Sequence, residues 1–239
     1  MTKKVLNHNN IFEQDFISTF EENFMFSDKS INRFEFSEHI GAQNILYKAE
    51  KISVLKNQIS SIENCSLKTN SKNLILGDGN VNSPIMLVGE APGIEEEKSG
   101  LVFQGEVGKL LTKMLKAINI KFENVYLSYS VNFRPPEDRK PTTQEIKRYS
   151  KFLKEHISII NPKILIVMGS TAMESLTGLN KKISSERGTW KEIIIKDKTY
   201  PIMITFSPSY LIRFPENKKY SWEDLKMIRQ KILDLNIKI

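Results

Sequence analysis

Glu90 stands where a carboxylate can do chemistry. The apolar run Ile85 to Val88 reads as a buried strand that breaks into Gly89-Glu90-Ala91-Pro92-Gly93. Neither helix nor strand continues through that pentapeptide, because glycine adopts backbone angles other residues avoid and Pro92 fixes φ and lacks an N–H. A strand that ends in a tight turn at the carboxyl edge of a parallel sheet is where open α/β folds place ligands. Phe103 follows among Gly100, Gly105 and Gly108. One aromatic among glycines suits a slot for a flat ligand: the ring stacks and the glycines let backbone approach. The bland readings are a turn at Gly-Pro-Gly and a solvated face at Glu95-Glu96-Glu97. Two further loops carry polar side chains. Asn132 to Arg139 contains Pro135-Pro136, which keeps it extended, and Ser207-Pro208-Ser209-Tyr210-Leu211-Ile212-Arg213 follows another apolar run.

The elements that must hold these loops follow a strand–helix rhythm. Asn73 to Leu76 reads as a short edge strand stopped by Gly77-Asp78-Gly79. Ile85–Val88 is followed by a helix over 108–118, and 125–131 alternates apolar and polar as a strand. Thr142 or Thr143 caps the next helix, with Glu145 placed for a capping box, and that helix stops at Asn161-Pro162. Ile164–Met168 is a buried strand that turns through Gly169-Ser170-Thr171 into a helix. Residues 180–191 read as a basic loop. Two strands follow, at 192–195 and 201–206, and Ser221 caps a helix over 222–235. Repeated β–α units mean a parallel sheet with helices on both faces, so loops after successive strands face one edge. Ahead of this lie two amphipathic helices, 11–26 and 42–59, that pack on the main domain or form an attached arm.

The 239 residues are 40% apolar and carry a formal charge of +7, a balance that favours an acidic partner, nucleic acid first. One cysteine, Cys65, can neither close an internal disulfide nor hold an iron–sulfur cluster. No apolar run approaches the roughly 20 residues of a membrane span, and no leader is recognisable. The expectation is a cytoplasmic, monomeric protein with no membrane partner.

With these loops the chain resembles the type 4 uracil-DNA glycosylases. That family reads Gly-Glu-Ala-Pro-Gly, then acids and a Gly-x-Pro-Phe-x-Gly run; here Gly89–Gly93 and Gly100-Leu101-Val102-Phe103-Gln104-Gly105 correspond, with Val102 in place of proline. Its Lys-Cys-Arg-Pro-Pro-x-x-Arg loop appears as Asn132 to Arg139, and its His-Pro-Ser-Tyr-Leu-Leu-Arg as Ser207 to Arg213. The likeness runs from about Cys65 to the C-terminus. It implies a three-layer α/β/α sandwich around a mainly parallel four-stranded sheet over 65–239, with 1–64 as a helical N-terminal extension.

The resemblance also implies hydrolysis of the N-glycosidic bond of uracil in single- or double-stranded DNA, the first step of base-excision repair. Glu90 would orient the water and Ser207 would assist the leaving base. Gly89, Ala91, Phe103 and Tyr129 would line the base pocket. Arg134, Arg139, Ser209, Tyr210 and Arg213 would contact DNA, with Lys181, Lys182, Arg187 and Lys191 tracking its backbone. Three departures stand out. The family's 4Fe–4S cysteines are reduced to Cys65, with Ile62, Phe133 and Tyr149 at the other places, so no cluster and no metal is expected, and Phe133 and Tyr149 are expected to fill its volume. Tyr129 replaces an asparagine that reads the base, and Ser207 replaces a histidine. A weakened or altered glycosylase, a catalytically inactive DNA-binding relative, and an accessory protein that recruits a partner through residues 1–60 all remain open.

Overall fold

In the computed structural model residues 33–238 are described, so the expected helix over 11–26 lies outside the described residues. Two compact units divide at Gln43 and Asn44, inside helix α1 (Arg33–Ser60). The second unit opens with the C-terminal part of α1, whose Leu55 and Ile59 are buried. Then come α2 (Ser66–Asn70), β1 (Gly77–Gly79), β2 (Ile85–Gly89), α3 (Ile94–Ser99), α4 (Gly105–Ala117) and β3 (Tyr126–Tyr129). The chain continues through α5 (Thr143–Ile160), β4 (Ile164–Met168), α6 (Ser170–Thr177), α7 (Ile183–Glu186), β5 (Trp190–Ile195), β6 (Lys198–Thr205), α8 (Pro208–Arg213) and α9 (Lys218–Asp234).

The sheet order is β1-β3-β2-β4-β6-β5. The four central strands are parallel, as expected, and antiparallel β1 and β5 extend the sheet to six. Side chains alternate between faces at the period of a strand. Ile85, Leu87, Leu127, Tyr129, Ile164 and Ile166 meet Leu111, Leu115 and Ile228 of α4 and α9. Met86, Val88, Leu165, Val167 and Ile204 meet Leu153, Ile157, Ala172 and Met173 of α5 and α6. Both faces are therefore covered, which is why the strands read as nearly continuous apolar runs.

Several boundaries move. The edge strand pairs through Gly77–Gly79 rather than 73–76; the preceding residues are anchored singly, Ile75 N–H on the Asn132 carbonyl at 2.8 Å and the Leu76 carbonyl on Ser128 Oγ at 2.8 Å. The basic stretch 180–191 is not all loop, since it holds α7 and begins β5. The last helix starts at Lys218, so Ser221 is buried within it rather than capping it. The Thr142–Glu145 capping box forms and α5 ends on Asn161 at φ 55°.

Candidate active site

Chain order places β2 at the switch of the sheet: from it the chain runs first outward to β3, then back across to β4 and β6. Loops leaving β2 and β4 part there, and the crevice between them is the expected ligand position. A cavity of ≈570 Å³ opens at this edge, with walls that include Glu90, Phe103, Tyr129, Thr171, Ser207 and Arg213. All three loops singled out in the sequence reach it.

Glu90 bridges the switch. Its Oε1 accepts from the Thr171 N–H at 3.1 Å and from Ser170 Oγ at 3.4 Å, at the N-terminus of α6. Helix N-termini present unpaired N–H groups that an acceptor oxygen can take, so the carboxylate is fixed in place. The close approach depends on Gly169, whose φ is +99° and where an added Cβ would lie 2.3 Å from the Glu90 carboxyl carbon. Oε2 takes no donor among the described residues. The turn after β4 supplies this anchor, and sequence reading had given Gly169-Ser170-Thr171 no role in the site. Its signal was present: a second glycine turn at the end of a parallel strand.

Phe103 and Tyr129 form a pair, ring centroids 4.8 Å apart and tilted by 31°. Gly89 lets both rings approach β2, since a Cβ there would meet Phe103 at 2.7 Å and Tyr129 at 2.9 Å. The Tyr129 hydroxyl accepts from the Phe103 N–H at 2.9 Å and donates to Glu96 Oε1 at 3.3 Å. Burial and the neighbouring Glu96 push the Tyr129 hydroxyl well above its ordinary value, so it stays protonated. Glu96 is a hub rather than part of a solvated face. It is buried and also accepts from the N–H groups of Gly93 at 3.0 Å and Gln104 at 2.9 Å. That network holds Phe103 at φ +48°, a backbone region disfavoured for a bulky residue.

Ser207 is the N-cap of α8, its Oγ accepting from the Tyr210 N–H at 3.3 Å and lying 3.1 Å from Ser209 Oγ. Tyr210 stacks on Phe206 at 4.8 Å and meets Phe214 at 4.9 Å with its ring tilted by 39°. Leu211 belongs to the core, and Ile212 is the exposed apolar residue of this segment at the cavity.

The uracil DNA glycosylase superfamily model matches residues 76–226. The type-4 uracil-DNA glycosylase of Thermotoga maritima is 36% identical over 172 residues, 72% of this chain and 88% of the relative. Those of Sulfurisphaera tokodaii and Archaeoglobus fulgidus are 34% and 30% identical, spanning 76% and 75% of this chain and 84% and 92% of their own. The chain belongs to the uracil DNA glycosylase superfamily.

On this glycosylase scaffold the cations divide into two sets. Arg134 is committed to two carboxylates: Nε and Nη2 bind Asp138 at 2.7 and 3.1 Å, and Nη1 binds Glu97 at 3.0 Å. Those bonds, the Asp138 pair foremost, hold its guanidinium above its ordinary range. Arg139 pairs with Glu145 at 2.7 Å. Lys181 and Lys191 pair with Glu186, and Arg187 pairs with fully buried Asp224. Arg213 and Lys140 also line the cavity and meet no carboxylate among the described residues. In the expected tracking segment Lys181, Arg187 and Lys191 are thus paired and Lys182 is exposed, and Lys140, which sequence reading passed over, stands with Arg213 as exposed charge at the mouth.

The place of the family's iron–sulfur cluster does not fit one. Cys65 is the chain's single cysteine and lies 3.2 Å from the Tyr149 hydroxyl. Phe133 packs edge-on to Tyr149 at 6.3 Å, among Leu55, Ile59, Leu67, Leu76 and Val131. Among the described residues no group of three His, Cys, Asp or Glu could hold a metal ion, and no helix is long and apolar enough to cross a membrane.

Proposed function

We propose that this chain excises uracil from DNA by hydrolysing its N-glycosidic bond, without a cluster, and so opens base-excision repair. The observation that carries the reading is Glu90, held by one oxygen at the α6 N-terminus inside a cavity that Phe103, Ser207 and Arg213 also line. A damaged nucleotide leaves the stack and enters such a pocket. The C1′–N1 bond then breaks, its electron pair departs with uracil as an anion, and water oxygen bonds to C1′. Anchoring of Oε1 leaves Oε2 to align that water and take its proton before passing it to solvent. The Gly93 N–H is spent on Glu96 and Pro92 has none, so Ala91 is the backbone donor that this turn offers the base. Ser207 supplies a neutral hydroxyl toward the departing anion. Arg213 and Lys140 hold phosphates flanking the flipped nucleotide, and Ile212 occupies the gap in the stack. The catalytic residues in this reading all lie in the compact unit Asn44–Ile239.

The test is release of uracil from labelled single- and double-stranded oligonucleotides, read as alkali cleavage of the abasic product. Glu90→Ala is expected to slow release by about 10²–10⁴, the range for a positioned acid or base. Cleavage unchanged in Glu90→Ala would overturn the assignment. No cleavage at stoichiometric protein with DNA binding intact would replace this reading with a DNA-binding relative that does no chemistry.

A further inference from the structure

The stacking ring of the pocket is already taken. Phe103 is 4% exposed and Tyr129 3%. A ring that receives a flat base needs a face clear of protein, and here the Tyr129 ring lies against it, centroids 4.8 Å apart and tilted by 31°. The same side chain takes the Phe103 N–H, a donor that a carbonyl of a pyrimidine held at that ring could use. Tyr129 thus reproduces both contacts a planar hydrogen-bonding base would make, and Glu96 holds its hydroxyl from the far side at 3.3 Å.

We propose that Tyr129 is an internal occupant of the base slot and the residue that sets which bases enter: a pyrimidine reaches Phe103 only after the Tyr129 ring swings off it and gives up both hydrogen bonds. This rests on the excision reading given above for the reaction, though not for the occupancy of the slot. The tyrosine needs no other molecule to hold it shut, because its ring meets Phe103 and its hydroxyl is satisfied by the Phe103 N–H and by Glu96 of α3. The slot therefore discriminates by competition. A base must outbid the tyrosine at Phe103, and shape or charge that weakens stacking or the carbonyl contact is rejected.

The test compares wild type, Tyr129→Phe and Tyr129→Ala in two measurements: single-turnover release of uracil from a single-stranded oligonucleotide, and binding of free uracil by isothermal titration calorimetry. Tyr129→Phe keeps the ring and the packing and loses only the two hydrogen bonds, so it guards against a variant that fails to fold. The expected order is wild type, then Phe, then Ala, with free uracil bound at least tenfold more tightly by Tyr129→Ala than by wild type and single-turnover release faster by a similar factor. Tighter uracil binding by Tyr129→Ala with no release from any form would uphold the occupant and overturn the excision reading. Weaker or equal uracil binding by both variants, with melting temperatures near wild type, would overturn the occupant and make Tyr129 a base-recognition residue. Brisk wild-type release that both variants slow would do the same.

Discussion

Phe133→Ala is the sharpest probe of the proposal that this chain does without a cluster. Phe133 is buried, sits edge-on to Tyr149 and closes a cluster of apolar side chains that includes Leu55 and Ile59 from α1 and Leu67 from α2. Removing a buried phenylalanine side chain costs about 3–5 kcal/mol through lost transfer energy and the cavity left behind. For a chain of this size each kcal/mol lowers the melting temperature by about 2–4 °C, so the variant should melt roughly 6–20 °C below wild type. Tyr149→Phe keeps the ring and strips the hydroxyl from Cys65; the lost bond should cost about 0.5–1.5 kcal/mol. The assay is thermal unfolding followed by circular dichroism, with and without an iron chelator. The chelator should leave the wild-type transition where it is. A loss below about 1 kcal/mol in Phe133→Ala, or a chelator-sensitive transition with the visible absorption of an iron–sulfur centre, would refute the claim that aromatic packing replaces the metal.

Gly169→Ala should displace the Glu90 carboxylate while sparing the sheet, so uracil release should fall by an order of magnitude or more at an unchanged far-ultraviolet spectrum. Arg213→Ala and Lys140→Ala should weaken DNA binding and each lower the slope of log affinity against log salt by roughly 0.7–0.9, read by fluorescence anisotropy across a salt series; Arg134→Ala should leave that slope alone and instead loosen the loop, as a lower melting temperature. Arg187→Ala leaves buried Asp224 without its ion pair and should cost about 3–5 kcal/mol in denaturant unfolding. Burial pushes His156 down to about 3 from an ordinary 6.5. In that window the unfolded chain carries a proton that the folded chain refuses, so stability falls as pH falls, by at most about 1.4 kcal/mol per unit. His156→Gln should flatten the fall between about pH 6.5 and 5.5, above most carboxylate titration, and an unchanged slope would discount the histidine.

The parallel sheet was legible because buried strands leave continuous apolar runs and the glycine turns that end them are local. Edge strands were less so. β1 contributes only Gly-Asp-Gly and is fixed by pairing with β3, a contact between distant residues that no local pattern announces. Glu90, Phe103 and Ser207 were found because their loops leave the same sheet edge. What they touch was not: the Thr171 N–H comes from a turn eighty residues on, and Glu96 looks in sequence like either of its exposed neighbours. Charge was the weakest guide. A run of Lys and Arg says nothing about whether a carboxylate waits across the fold, and for Arg134 and Arg187 one does.

That last point explains how the site keeps its shape. The Pro-Pro loop and the acidic helix α3 form two walls of the cavity, and Arg134 ties them by binding Asp138 in its own loop and Glu97 in α3. Glu97 in turn accepts from Ser71 Oγ at 2.8 Å and the Lys72 N–H at 3.0 Å, just past α2, whose Leu67 lies in the same apolar cluster as Phe133. The chain of contacts from Cys65 through Tyr149 and Phe133 to Arg134, Glu97 and the Glu96 hub is continuous. A metal cluster would pin these segments at one point. Here a buried aromatic pair and a shared arginine pin them at two, which supports the proposal that the geometry around Glu90 is kept without iron. A form of this protein purified without iron should therefore bind DNA and release uracil at the same rate as one purified with it, and a rate that rises when iron and sulfide are restored would break the argument at its first link.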